Sequence, residues 1–488
     1  MDFKSTVFEC TYKSEWPTPE SSGECKRSIM GVHTFKRGLD LPIVGEPEQV
    51  IHDGASVSEV AVVAADYIGM KPTMLVKVGD TVKRGQQLFE DKKSLGTFYT
   101  APAAGTIKAV NRGEKRALIT VVITLSEGES KNDLSADEFL SFESYQAKDI
   151  ASYSREEVRD LLIESGMWSA FRTRPFSKVP SVTSDPDALF ITAMDTNPLA
   201  PDVDLIVEEQ KEQFSLGLSA LAKLREGHIY LCSASDSAVE IGAHAGIAHE
   251  QFSGPHPAGT VGVHIHTLRP AHVGRVAWSI GYQDVIALGH LFGSGQLNVG
   301  RVVSLAGPQV KNPRLIRTRV GASVDELVAG ELNENDSRCI SGSVLSGRTA
   351  QGEEAGFLGR YHNQISVIEE YHDREFLGWM GPGQEKFSVI NTFVSKLNKN
   401  KRFKFNSSTN GSHRAMVPIG VYEKVMPMDF MMTQLLRHVL VGNVEGAEQL
   451  GCLELDEEDL ALSTFVCPCK NEYGTKLREI LSVIEAEG

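Results

Sequence analysis

The stretch that most constrains this chain is KPTMLVKVGDTVKRGQQLFEDKKSLGTFYTAPAAGTIKAVNRGEKRALITVVITL, residues 71–125. Its apolar residues fall in runs too short for helices and are punctuated by turn residues. Val76 and Val78 flank Lys77, the alternation of a half-buried strand. Gly79-Asp80 and Arg112-Gly113 mark turns, and Gly85 and Gly105 stand where strands approach each other closely. Short strands and tight turns at this density predict a small closed β-unit. A second β-rich unit is expected over residues 301–348.

Between these two units the pattern changes. SREEVRDLLIESGMW opens with Ser154 and Glu157 at capping-box spacing, ahead of an apolar stripe of helical period. ALFITAM (188–194) reads as a short buried strand that ends in the polar turn DTNPLAPD. LIVEEQKEQFSLGLSALAKLREG reads as one helix closed by Gly227, and HIYLC (228–232) as the next strand. Strand, helix, strand implies a right-handed crossover and a parallel sheet, whose ligands bind at the C-terminal strand ends. That rule points to Asp195, Thr196 and Asn197. Beyond residue 385 the chain becomes more helical, with FMMTQLLRHVL and LREILSVIEAEG as examples.

The chain of 488 residues is long enough for two to four domains. Its formal charge of −15 argues against nucleic acid as the main partner. Seven cysteines in this length are not a disulfide framework. No apolar run approaches the 18 residues of a membrane-spanning helix. The first 33 residues are polar, lack an apolar signal core and read as a disordered extension, with Met30 as an alternative start.

The β-unit of residues 71–125 resembles biotinyl and lipoyl domains, through V-x-V-G-D-x-V-x-x-G-Q followed by A-P-x-x-G-x-I. Lipoyl domains carry their modified lysine on a hairpin. The corresponding turn here is Glu90-Asp91-Lys92-Lys93, without the small residue that follows the modified lysine. Lys92 is therefore expected to be a solvated turn residue rather than a carrier.

Further stretches, in order, are similar to one family: KRGLDLPIVGEPEQVI, FEDKKSLGTFYTAPAAG, SGMWSAFRTRPFSKVP, TAMDTNPLAP, FSGPHPAG, WSIGYQDVIALG, RVVSLAGP, LGRYHNQISV, MVPIGVYEKVMPMD and LGCLELDEEDLALSTFVCP. From about residue 34 to 488 the chain resembles the A subunit of the bacterial Na+-translocating NADH:quinone oxidoreductase. The resemblance implies a peripheral subunit on the cytoplasmic face of the inner membrane. Its partners would be five other subunits, chiefly a membrane-embedded one, in a complex that oxidises NADH, reduces ubiquinone and pumps Na+ outward. It also implies a multidomain α+β fold related to the NADH-binding flavoprotein subunit of complex I and to its relative in the Rnf complex. Combined with the pattern above, the expected order is a barrel-sandwich domain (34–145), a Rossmann-like α/β domain (146–292), a ubiquitin-like β-grasp or SLBB domain (293–350) and a C-terminal domain, helical towards its end (351–488).

The flavoprotein relatives hold FMN with a run of the form Gly-Arg-Gly-Gly-Ala-Gly-Phe-Pro, because backbone without Cβ atoms can wrap a phosphate. Here only Gly166 remains, and Trp168, Phe171 and Arg172 fill the equivalent space, so a packed loop without FMN is expected. Arg172 and Arg174 are candidates to hold an anion or a partner carboxylate. Trp168, Phe171, Asp195 and His256 are candidates for the walls and polar contacts of a ubiquinone pocket. His264 and His266 alternate in an expected strand and would share a face. A third ligand is missing, so no metal is expected there. Cys467-Pro468 looks like the end of an iron–sulfur run, and Cys452 and Cys469 lie near it. The intervening acids Asp456, Glu457, Glu458 and Asp459 would repel an anionic cluster, so this reads as the remnant of a site, without Fe–S. The expectation is a subunit with no tightly bound cofactor, no catalytic residue and no metal site of its own, which serves assembly and the ubiquinone-reduction step.

Overall fold

The computed structural model describes residues 31–225, 227–239, 244–333, 336–372 and 380–487. The expected N-terminal extension lies outside the described residues as far as residue 30. Its last residues do not: Gly31–Thr34 is a strand that pairs in parallel with Ile247–Ser253. Backbone donors at the open edge of that sheet recruit this short segment although its own composition gives no strand signal.

The first unit is two facing sheets. Leu118–Leu125 pairs antiparallel with both Glu59–Val63 and Gly105–Arg112, with Ile123 opposite Val60 on one side and Ile107 on the other. Pro72–Met74, Gln87–Asp91 and Phe98–Thr100 form the second sheet. Val121 and Ile123 point into the sandwich core. Val122 packs outward with Ala61 and Val63 against Phe357 of a later domain, which is why this strand is apolar on both faces. A Cβ on Gly105 would lie 2.0 Å from the Thr124 carbonyl oxygen, so the close approach read from the sequence is real. The strand expected around Lys77 is not formed. Lys77 accepts from the Asp80 amide at 3.1 Å and donates its own amide to the Asp80 carboxylate at 2.9 Å, leaving Val78 58% exposed. Asp-and-glycine turn chemistry outweighs an alternation only three residues long.

The second unit is a six-stranded sheet. Its order is Gly31–Thr34, Ile247–Ser253, Ile229–Ala234, Ala188–Ala193, Ala277–Gly281 and Arg172–Arg174, parallel except for the last. The expected single helix after residue 203 is two, Val203–Glu209 and Lys211–Leu224. They break at Gln210, whose backbone is non-helical (φ −123°) and whose side chain meets His290 at 3.0 Å. The second helix ends at an extended Arg225, short of Gly227. It crosses Tyr282–Ser294 at touching distance: a Cβ on Gly289 would lie 1.8 Å from the Gln213 oxygen, and one on Gly217 2.0 Å from that of Val285.

His264 and His266 are not in a strand. They belong to the helix Val261–Leu268, which is buried over Gly262–Ile265. A helix packed on nearly all sides is apolar all round, so its sequence can mimic alternation. Residues two apart on a helix are about 200° apart around its axis, and the pair shares no face.

The third sheet runs Arg348–Thr349, Ser337–Ser341, Gln364–Glu369, Gly300–Ala306, Arg314–Arg319 and Glu48–Asp53. Gln364–Glu369 lies in its interior, so the sheet crosses the expected boundary at residue 350, and it also recruits Glu48–Asp53 from within the expected barrel-sandwich range. The C-terminal helices Met432–Val441, Val444–Gln449, Glu457–Val466 and Tyr473–Glu487 share a core with Leu41, Ile43 and Val263 from the earlier domains. Met432, Leu435, Leu436 and Val439 form the buried stripe of the first of these helices, which ends at Gly442 in the left-handed conformation.

Candidate functional site

Two features lie where domains meet: a small cavity with a charged wall, and a seam of ion pairs. The cavity encloses about 50 Å3. Asp66 and Tyr67 reach it from the barrel-sandwich, Met167 and Ser169 from the loop that follows the helix Arg155–Glu164, and Arg301 and Arg360 from the third sheet and its connection. Leu297, Val299 and Leu358 supply apolar wall. Gly166 makes this loop fit: its φ is +78°, and a Cβ there would lie 2.3 Å from the Thr100 hydroxyl.

The charged wall is buried. Asp284 accepts from Arg301 and, at 2.6 Å, from Arg360. The Arg360 amide donates to Asp66 at 2.7 Å. One carboxylate thus faces two guanidinium groups. Burial pulls the Arg301 pKa down to about 10, against the attraction of Asp284. Burial also pushes the Tyr67 hydroxyl well above its usual range. Tyr361 donates to the Ser169 carbonyl at 2.7 Å and presents its ring to the Arg172 guanidinium, 5.1 Å away.

Arg172 links this wall to the seam. It donates to Asp456 at 2.8 Å. Buried Arg174 lies 3.3 Å from both Asp456 and Glu458, and 3.8 Å from Asp459. Arg478 meets the other Asp456 oxygen at 2.5 Å and Glu457 at 2.6 Å, and donates to the Phe176 carbonyl at 2.8 Å. Arg172 and Arg174, candidates for an anion or a partner carboxylate, are here beside carboxylates of this chain's own C-terminal domain. Burial alone would raise the Asp456 pKa, but Arg174 and Arg172 hold it well below the carboxylate range. Asp459 goes the other way, to about 7: burial raises it and Arg174 offsets only part. Its Oδ2 accepts from the Asp456 amide at 2.9 Å, closing the helix cap, while its Oδ1 has no partner among the described residues.

The four quinone-pocket candidates fall into two pairs. Trp168 and Phe171 are core residues, 1% and 0% exposed, with rings 5.4 and 5.7 Å from Trp278. Trp168 Nε1 donates to the Pro180 carbonyl at 2.9 Å, so the loop is packed where a phosphate would need bare backbone. Trp168 stands behind Met167 and Ser169 rather than on the cavity surface. Asp195 and His256 follow the C-terminal ends of the parallel strands Ala188–Ala193 and Ile247–Ser253. Asp195 accepts from the backbone and side chain of Asn197, both at 2.9 Å. His256 meets Thr196 at 3.2 Å and donates its amide to Asp40 at 2.9 Å. Burial raises the Asp195 pKa and lowers that of His256 to about 4. These strand ends cap themselves.

Lys92 is an exposed turn residue. His264 is buried against Phe252, and burial lowers its pKa to about 3. His266 spans Glu454 at 2.8 Å and the Asp429 amide at 3.1 Å. Cys452, Cys467 and Cys469 are buried free thiols in the C-terminal core, and Cys467 contacts the hydroxyls of Tyr422 at 3.3 Å and Tyr473 at 3.4 Å.

Residue-level reading missed Asp66, Asp284, Arg301 and Arg360. The signal was available for two of them: Asp284 is the only charged residue in the run Tyr282–Gly289, and Arg301 directly precedes the apolar-rich run Val302–Ala306. A charge there needs a buried partner.

Family models match three regions: the NqrA N-terminal barrel-sandwich hybrid domain at 33–126, the NqrA second alpha/beta domain at 153–297 and the NQRA C-terminal domain at 302–352. Proteins named as the A subunit of Na(+)-translocating NADH-quinone reductase are similar over 93% of this chain and 99% of their own length. Identity is 54% for Saccharophagus degradans, 52% for Hahella chejuensis and 53% for Neisseria meningitidis. An NAD+-reducing nickel–iron hydrogenase chain overlaps 48% of this chain and 49% of its own at 12% identity, with a TM-score of 0.31, a likeness too low to carry an argument. Among the described residues no helix is long and apolar enough to cross a membrane. By its domains and by identity above one half over almost the whole length of its relatives, the chain belongs to the NqrA family, the A subunits of Na+-translocating NADH-quinone reductase.

Proposed function

We propose that this chain is the peripheral subunit, on the cytoplasmic face of the inner membrane, of a six-subunit complex that oxidises NADH, reduces ubiquinone and pumps Na+ outward. In this reading it carries no tightly bound flavin or iron–sulfur cluster and docks chiefly on a membrane-embedded partner. Its second domain is of Rossmann-like kind and the sheet around Gly300–Ala306 of β-grasp kind. Its part in the reaction is to receive the ubiquinone headgroup at the cavity between the domains.

The observation that supports this is the pairing of buried guanidinium donors, Arg301 and Arg360, with apolar wall from Met167, Leu297, Val299 and Leu358. A quinone wants apolar surroundings and a few donors for its carbonyl oxygens. The cavity is smaller than the ~150 Å3 that admits benzene, so the headgroup enters by parting the barrel-sandwich from the other domains. Met167→Trp, which fills the cavity, is expected to raise the ubiquinone KM of the complex at least several-fold and to leave NADH oxidation with an artificial acceptor unchanged. An unchanged KM in a correctly assembled variant complex would contradict the assignment.

A further inference from the structure

Between the strand Gln364–Glu369 and the helix Tyr422–Val425 the described chain forms only isolated bridges and one short turn of helix, Val394–Leu397. Its charge is opposite to that of the whole. Residues 380–419 hold seven Lys and Arg against Glu385 alone, a net +6 in a chain of net −15, which leaves −21 for the remainder.

One side of this segment is fixed. Phe387 lies 5.6 Å from both Phe403 and Phe405 and 6.1 Å from Phe465 of the C-terminal domain. The Phe403 amide donates to Pro42 at 2.7 Å, and its carbonyl accepts from Val44 at 3.0 Å. Other residues reach solvent: Ile390 is 56%, Val394 46% and Leu397 85% exposed. Lys401 and Arg402 are paired with Glu385 and Glu46. Lys396, Lys399 and Lys404 have no carboxylate partner among the described residues.

Exposed aliphatics interleaved with free ammonium groups on flexible stems match the headgroup region of an anionic bilayer. The aliphatics enter the acyl boundary and the lysines meet lipid phosphates. The segment has no regular strand to offer an edge to a peptide. We propose that residues 390–404 dock this chain directly on an anionic lipid surface. The charge asymmetry orients the contact, because the remainder of the molecule is repelled by the same surface. This goes beyond attachment through a membrane-embedded partner and does not depend on the ubiquinone assignment.

The test is sedimentation of the purified full chain with vesicles of mixed phosphatidylglycerol and phosphatidylcholine, and with phosphatidylcholine alone. The expected result is partition onto the mixed vesicles only, lost at high salt. Combining Lys396→Glu, Lys399→Glu and Lys404→Glu should lower it at least about tenfold. Leu397→Ser should weaken it without changing the melting temperature, since the side chain is exposed. Absence of partition onto the mixed vesicles, or equal partition of the triple variant, would overturn the proposal. So would crosslinking of this segment to a protein subunit by a chain that ignores vesicles.

Discussion

Arg172 donates to Asp456 at 2.8 Å across 284 residues of chain. It ties an edge strand of the parallel sheet to the first residue of a C-terminal helix cap, and its other face covers Tyr361 beside the cavity. The acidic run Asp456–Asp459 is thus the counter-charge to three arginines, Arg172, Arg174 and Arg478. The same four acids that discourage an anionic cluster hold the C-terminal domain in place.

Arg174→Met should cost about 3 kcal/mol or more in unfolding free energy, because it strands the buried Asp456 without one of its cations. Denaturant unfolding checks this. A loss below about 0.5 kcal/mol, the size of a surface change, would show that the seam carries little stability.

Asp459 gives the seam a pH dependence. Its folded-state pKa of about 7 lies above the unfolded value of about 3.9. Between those values the folded chain keeps a proton that the unfolded chain has lost, so this group weakens the fold as pH rises across the window. Asp459→Asn stays neutral. Its stability relative to the parent should improve from pH 5 to pH 8 by more than about 1.4 kcal/mol, the worth of one pKa unit. Parallel stability–pH curves would contradict the raised pKa.

Gly289→Ala places a methyl where the Gln213 oxygen already stands. The helices Lys211–Leu224 and Tyr282–Ser294 must then separate, at about 1–3 kcal/mol or more. The melting temperature of the purified variant reads this directly. An unchanged value would mean that the crossing has room to spare.

Cys467→Ala removes a thiol from between two tyrosine hydroxyls that also bond each other at 2.9 Å. Because Tyr473 can still donate to Tyr422, the loss should stay within about 1–3 kcal/mol. Chelator treatment should leave both the parent and the variant melting curves in place. A chelator-induced drop would reveal a structural metal at these cysteines.

The fold was legible wherever local chemistry and packing agree. Ser154 and Glu157 form the expected capping box on Arg155–Glu164, and ALFIT lies in a buried parallel strand. Legibility failed where long-range packing decides: the helix Val261–Leu268 is apolar on nearly every side, and Gln210 breaks a helix without glycine or proline. At the site, Arg172 and Arg174 were legible as candidates to hold an anion or a partner carboxylate, but the carboxylates beside them lie 284 residues away and no spacing rule reaches that far. Trp168 and Phe171 looked like pocket walls because aromatic side chains suit both pockets and cores.

The decisive experiment is a visible spectrum of the purified chain, taken aerobically and anaerobically, with iron, zinc and flavin analysis. A colourless protein without stoichiometric metal or flavin is expected, as a loop filled by Trp168 and Phe171 and cysteines packed into a core require. Stoichiometric iron or flavin would contradict this reading and make the chain an electron carrier in its own right.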